Sequence, residues 1–536
     1  MLGHAVPVGS RWQAFVDDFL VEHRESLTKQ LHRFRKHPTP ILTVQAPWES
    51  PGHGGLGGPV NALYDLDRGQ FQLWYQARGF AGAGILPGVQ NFACYATSDD
   101  GVHFERPPLG LVEFDASTAN NILAERGVDT GSNLLFSHGM LDCPEMQPYE
   151  PAEHRYKGVT AIGRDADNQY GHGMVFSRDG IHWTEHKGNP VIRGRNHGDS
   201  VSLAKVRHTT WREDEPRSIP SAKYAMFPKI RTQVGEFDRR CIGLCLSDAS
   251  KHPGMGWTVP VLTLAPDARD DDLTSEHLAA ARDVLLHDHP DDHRSEFYSM
   301  VVHRYGDIFL GFLWVFDVAF ECHRIGGGNQ HGPLHVQLVA SRDLVNWARI
   351  GDREPILDRG EPDSFDAGMI FYHSLPVTVG DEWWIYYAGF DSCHTPGPYV
   401  EASLQAKRLR EVAEGRRQLP AIGLAKIRRG GFVSLDAGDQ VGTLLTRPVV
   451  AGGSRLEINA RVLTGGGIRV EVQDESGVPL PGFSANACTP VTGDGVALPV
   501  RWGDRVGDGA WPDRILRLVV HVTNAELYGF RFFGPA

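Results

Sequence analysis

The feature that most constrains this chain is a short motif, Ser-x-Asp-Gly-x-x-aromatic, that returns along its length. It reads SDDGVHF from Ser98 to Phe104 and SRDGIHW from Ser177 to Trp183. It returns as SRDLVNW from Ser341 to Trp347, with Leu344 at the glycine position. A worn copy with an insertion, SDASKHPGMGW, runs from Ser247 to Trp257. The copies begin at 98, 177, 247 and 341 and so lie 79, 70 and 94 residues apart. A fifth relic, GLAKIRRGGFVSL from Gly423 to Leu435, keeps the strand and turn without the serine or aspartate. Such self-similarity marks one supersecondary unit used repeatedly.

Each copy stands in the same setting. An alternating apolar strand precedes it: FACYAT, GMVFS, CIGLCLS, VQLVAS and IGLAK. A proline-bearing strand follows, as in PLGLVEF, NPVI, VPVLTL and EPIL, and an aromatic strand such as FQLWYQA, DIFLGFLWV or EWWIYYAG lies upstream. Period-two alternation with Asp-Gly between strands is the signature of antiparallel pairing through tight turns. Three such strands plus an innermost one, five times over, predict an all-β fold: a five-bladed β-propeller. Serine, aspartate and tryptophan of the motif are then turn and packing residues.

The propeller is expected over residues 1–440, with FVDDFLVEHRESLTKQLHRF near the N-terminus closing the ring so that no strand edge is left bare. From Thr443 the text changes to LEINARV, GIRVEVQDESGVPLPGFS, LPVRWG, ILRLVVHV and LYGFRFF, with no further motif. This predicts a C-terminal β-sandwich over 441–536. Two insertions read as helices, Thr274 to Asp288 and Glu401 to Gln418.

Composition closes off other classes. The net charge of −13 argues against nucleic acid and anionic membranes as partners. No run of about 18 apolar residues is present to cross a bilayer. The N-terminus lacks a basic start followed by an apolar run, and the seven cysteines are odd in number and scattered. Both point to a cytoplasmic location. Cys241 and Cys245 share a strand face but have no second pair, so no metal is expected there. The histidines of HDHPDDH, His287, His289 and His293, read as an acidic solvated loop. No cofactor is expected, and homo-oligomerisation is left open.

Chemistry in such an array lies on the innermost strands. One lies before each aromatic strand: GGPVNALYD with Asn61 and Asp65, TGSNLLFSHGMLDC with Asn133 and His138, and NHGDSVSLAKV with His197 and Asp199. HRSEFYSMVV with Glu296 and PDSFDAGMIFYH with Asp363 and Asp366 complete the set. Three successive strands thus offer one carboxylate near the same end: Asp199, Glu296 and Asp366. Glycosidic cleavage needs one protonated carboxyl, one ionised carboxylate, and surroundings that hold their pKa values apart. The expected roles are Glu296 as general acid, Asp366 as base or nucleophile, and Asp199 as orienting acid. Asn61, Asn133, His138, His197 and Trp314 are the expected substrate contacts, Trp314 offering a flat face to sugar CH groups.

The blades resemble those of the five-bladed glycoside hydrolases of invertase/fructanase and arabinanase/xylosidase type. FQLWYQA after GGPVNALYD is similar to the first-blade strand pair of invertase-like enzymes, and a propeller followed by a β-sandwich is similar to their layout. Gly-Gly-Pro-Val-Asn stands where an invertase-like enzyme carries Trp-x-Asn-Asp-Pro-Asn-Gly, and Glu321-Cys322 falls in the fourth blade. The resemblance implies a divergent relative without the family's catalytic motifs, acting on a small or furanose-type saccharide. Two rivals stand beside a glycosidase: a carbohydrate-binding propeller without turnover, and a lyase or isomerase using His197 or His138 as base.

Overall fold

The computed structural model describes residues 5–49, 55–78, 80–81, 84–85, 91–125, 137–142, 151–164, 170–194, 196–207, 220, 222–247, 256–394, 410–411, 414–415, 418–503, 511 and 514–534. The chain is mostly β-strand. A first antiparallel sheet runs, in order, Gly55–Asp65, Gln70–Arg78, Asn91–Ser98 and Ile122–Glu125. The second leads with Ser137–Asp142, followed by Tyr156–Arg164, Tyr170–Ser177 and Trp183–Glu185. The third is His197–Lys205, Tyr224–Val234, Phe237–Leu246 and Val261–Leu264. A fourth, ten-stranded sheet holds two such runs. Arg294–Tyr305, Ile308–Val318 and Leu334–Ser341 form one, and Met369–Phe371, Glu382–Phe390 and Ala421–Arg428 the other. A single parallel pairing, Leu334 with Met369, joins them.

The leading strand of each run packs beside its neighbours. Gly55–Asp65 lies next to Ser137–Asp142 and Met369–Phe371, and His197–Lys205 lies between Ser137–Asp142 and Arg294–Tyr305. Ser200 Oγ donates to Ser299 Oγ across the last of these contacts at 2.8 Å. Leading strands are covered on both faces, so Gly55–Asp65 and Arg294–Tyr305 are buried almost throughout. That burial means polar residues among them, such as Asn61, Arg294 and Glu296, must find partners inside the protein.

The repeated motif is a turn clamp. In all three clear copies the N–H of the fourth residue, at the glycine position, donates to the serine Oγ at 2.9 Å. The aspartate Oδ1 accepts from the next two backbone N–H groups at 2.7–2.9 Å. The turn needs a left-handed residue, with φ of +74° at Gly101, +78° at Gly180 and +67° at Leu344. Each turn carbonyl also anchors another run. Tyr386 OH donates to Gly101 O at 2.8 Å, Trp74 Nε1 to Gly180 O at 2.7 Å, and Thr263 Oγ1 to Leu344 O at 2.9 Å. The clamp predicts a loss of stability at two equivalent positions for different reasons. Gly180→Ala places a Cβ 2.8 Å from Trp74 Cζ2 at positive φ and is expected to cost about 1–3 kcal/mol. Leu344→Gly relieves about 1 kcal/mol of backbone strain but empties a fully buried site worth about 2–5 kcal/mol. It too is expected to destabilise, and denaturant titration of both variants checks the pair.

The C-terminal strands form a further ten-stranded sheet around two long strands, Arg455–Asp474 and Ile515–Phe533. The N-terminal segment is strand, turn, strand, but its partners differ from those expected. Val21–Glu25 pairs with Gly442–Thr446, and Thr28–Leu31 with Val433–Ala437, in the C-terminal sheet. Arg35–Lys36, and then Leu42, pair with Ala421–Arg428 at the edge of the fourth sheet. The side chains give the reason. Val8, Phe15 and Leu20 enter the C-terminal core, whereas Phe34 and Leu42 enter the core of the first and fourth sheets.

Helix α1 spans Ala268–Ala280, beginning before Thr274 because Asp267 and Asp270 form a reciprocal capping box. Thr274 lies inside it, and a short 3-10 turn, Arg282–Val284, follows. The second expected helix, Glu401 to Gln418, lies largely outside the described residues. No helix among the described residues is long and apolar enough to cross a membrane.

Candidate functional site

Near the starts of His197–Lys205 and Arg294–Tyr305 the third and fourth sheets assemble an ionic cluster. Asp199, on His197–Lys205, pairs with Lys229 on the adjacent strand; the Asp199 side chain is 53% exposed, that of Lys229 only 6%. Gly198 makes the crossing feasible, since a Cβ there would collide with Lys229 Cε. Lys229 Nζ sits 3.7 Å from the ring centroid of Tyr298, on the neighbouring leading strand. Arg240 approaches the same ring at 5.4 Å and pairs with Glu296. Arg294 completes the grip on Glu296, with Nε donating at 2.9 Å and Nη2 lying 2.7 Å away. Tyr298 OH lies 3.4 Å from His394 Nε2, and His394 Nδ1 contacts Gln330 O at 2.7 Å.

The electrostatics separate these groups. Burial pushes the Glu296 carboxyl up, but Arg240 and Arg294 outweigh it and hold the pKa down at about 2. Glu296 is therefore a buried, permanently ionised anchor, a state opposite to that of the general acid expected from sequence. Burial pulls Lys229 down; Asp199 pulls it up, Arg240 pushes it further down, and it settles at about 8. Burial, aided by Arg240, lowers His394 to about 3, so its ring is neutral.

The other expected residues fall elsewhere or into other roles. Asp366 is buried and accepts from Lys36 Nζ at 2.6 Å, Ser364 Oγ at 2.8 Å and Tyr387 OH at 2.9 Å, all within its own part of the fourth sheet. No contact links it to Asp199 or Glu296 among the described residues. Trp314 is 1% exposed, stacked on Phe371 at 5.0 Å and near-parallel to Tyr298 at 6.2 Å. It is packing between strands and offers no open face. Asn61 is buried in register with Trp74, and His197 is buried and stacked on His172 at 5.8 Å, with burial lowering its pKa. His138 lies on strand Ser137–Asp142, but its side chain, like all of Asn133, lies outside the described residues. Asp65 sits with Arg155 and Tyr156 where the first leading strand finishes. In the HDHPDDH loop His293 pairs with Asp288, while Asp292 is gripped by Arg324 at 2.8 Å.

Arg294 stands two residues from Glu296 in the text, but Lys229, Arg240 and Tyr298 were not singled out from it. A signal was present: KYAMFPKIR and FDRRCIGLCL place basic residues inside otherwise apolar strands. Charges in such positions are buried only when paired.

The solved structures to which this chain is similar include one N-acetylgalactosamine deacetylase and several described as glycoside hydrolases. One carries that description alone, at 14% identity over 74% of this chain and 92% of the other, with a TM-score of 0.40. A Bombyx mori GH32 beta-fructofuranosidase aligns at 10% identity over 93% and 95%, TM-score 0.40. A glycosyl hydrolase from Bacteroides ovatus aligns at 13% over 78% and 93%, TM-score 0.35. No family model and no curated protein matches the sequence.

Proposed function

We propose that the chain is a five-bladed β-propeller with a C-terminal β-sandwich, and that it cleaves a glycosidic bond in a small or furanose-type saccharide at the Asp199–Lys229 pair. The observation that carries the reading is a solvent-reaching carboxylate held against a buried lysine whose pKa lies near 8. The sheet order supports the blade assignment, with Arg35–Lys36 as the edge strand of the last blade and residues 6–31 joining the sandwich.

In this reading the saccharide's leaving oxygen replaces Asp199 on Lys229 Nζ. Lys229, protonated below about 8, gives its proton to that oxygen as the bond to the anomeric carbon breaks. Asp199, half exposed and freed from the ion pair, takes the proton of the water that adds to the anomeric carbon as the leaving group departs. Tyr298 lies under the ammonium and disfavours displacement of the charged form. Glu296 binds no substrate; it fixes Arg240 beside the pair.

The test is release of reducing sugar from a panel of furanosides and pyranosides across pH. The activity is expected to fall above about pH 8, as Lys229 loses its proton, with kcat/KM dropping tenfold per unit. Full activity at pH 10 would contradict the assignment. A second reading, saccharide binding without turnover, is favoured by the ion pairs that saturate Glu296 and Asp366. Binding by calorimetry with no product would identify it.

A further inference from the structure

One group of titratable side chains lies outside this site and takes no part in it. His277 projects from helix α1, Asp317 from strand Ile308–Val318 and His335 from strand Leu334–Ser341. Asp317 is fully buried and the His335 side chain is 3% exposed; that of His277 is 19% exposed. His277 Nδ1 lies 3.0 Å and His335 Nδ1 3.4 Å from the same oxygen, Asp317 Oδ2.

We propose that His277, Asp317 and His335 form a binding site for a divalent transition-metal ion of zinc type. Two features of the geometry argue for an ion over a plain hydrogen-bonded trio. First, two imidazole Nδ1 atoms from separate elements converge on one oxygen of a fully buried carboxylate, His277 at 3.0 Å and His335 at 3.4 Å, which is the donor set a cation placed among them would meet. Second, the donor spacing fits. Zinc bonds of about 2.0–2.2 Å in tetrahedral array put neighbouring ligand atoms about 3.3 Å apart, and the two observed spacings bracket that value. All three donor atoms lie within 4.8 Å of one another. The imidazole rings meet at 73°, so their nitrogens approach from different directions.

The surroundings are those of a supported site. Thr274 Oγ1 donates to Asp317 Oδ1 at 3.1 Å, which orients the carboxylate and leaves Oδ2 for the ion. The Gln337 amide contacts His335 Nε2 at 3.0 Å, on the side of the ring away from Asp317. Thr274 and His277 share one face of α1 at a spacing of three residues. Three protein ligands leave a fourth position, on the side where His277 reaches solvent. Two histidines and one carboxylate suit zinc, cobalt or iron(II) better than calcium or magnesium, which take oxygen ligands. The ion would join α1 to two strands of the fourth sheet.

The experiment uses the full-length protein stripped with a chelator and titrated with ZnCl2 by calorimetry, and with CoCl2 by visible absorption. One Zn2+ per chain at micromolar or tighter affinity is expected, with Co2+ giving the intense bands of a four-coordinate site. The chain carries 25 histidines, so weak surface binding is the competing outcome. His277→Ala, at the outer edge of the cluster, separates the two: it is expected to weaken Zn2+ binding at least 100-fold while circular dichroism is unchanged. Asp317→Asn gives a second test from the buried side. Zn2+ binding only in the millimolar range, or unchanged in His277→Ala, would overturn the assignment.

Discussion

Glu296→Gln is expected to destabilise the protein by about 3–5 kcal/mol. The substitution conserves shape but removes the charge that compensates Arg240 and Arg294, whose side chains are 5% and 1% exposed. Arg240 would then face a neutral amide in a buried space while Arg294 keeps its pair with Glu321, and an uncompensated buried charge is the costly result of breaking such a pair. The same interaction sets an acid limit. The Glu296 pKa falls from an ordinary 4.5 to about 2 on folding, so its contribution is complete above 4.5 and is lost as pH falls from there toward 2. That linkage amounts to about 3 kcal/mol. Wild type is expected to lose stability steeply over this window and Glu296→Gln much less so, as urea titrations at pH 7 and pH 3 would show. Equal acid sensitivity of the two proteins would remove Glu296 from the account.

Asp199→Asn is expected to lower kcat by 10²–10⁴-fold with little loss of stability. The Asp199 side chain is half exposed, and the variant leaves Lys229 next to a neutral amide at the solvent edge. Without its counter-charge Lys229 releases its proton at lower pH, because Asp199 is the partner that raises it against burial. The residual activity is therefore expected to decline from a lower pH than in wild type. Steady-state rates and thermal unfolding of both proteins check the two halves of this prediction. A variant that unfolds readily would make Asp199 a structural residue.

The sheet order was legible because its signals are local. Asp-Gly turns at positive φ, period-two strands and the serine–aspartate clamp are each contained in about ten residues, and all three clear copies fold alike. The leading strands were placed by the same reasoning. What was not legible depends on partners far apart in the chain. Residues 21–25 and 28–31 alternate well enough to pair with any free edge, and their companions near 433–446 are set by where Phe15 and Leu20 find a core. The roles of the carboxylates were hidden for the same reason. Glu296 reads as a free acid until Arg240, 56 residues earlier, is brought onto it. Trp314 reads as a platform until Tyr298 and Phe371 cover it. The trio His277, Asp317 and His335 has no motif spacing, since helix and sheet contribute separately.

On the proposed function the saccharide meets the protein at the Asp199–Lys229 pair. The most direct measurement is a crystal structure of Asp199→Asn soaked with a saccharide that wild type binds or turns over. The account predicts a sugar ring near the starts of His197–Lys205 and Arg294–Tyr305, its anomeric carbon facing residue 199 across a water and its glycosidic oxygen on Lys229 Nζ. A sugar bound elsewhere, with residue 199 and Lys229 out of contact, would contradict it.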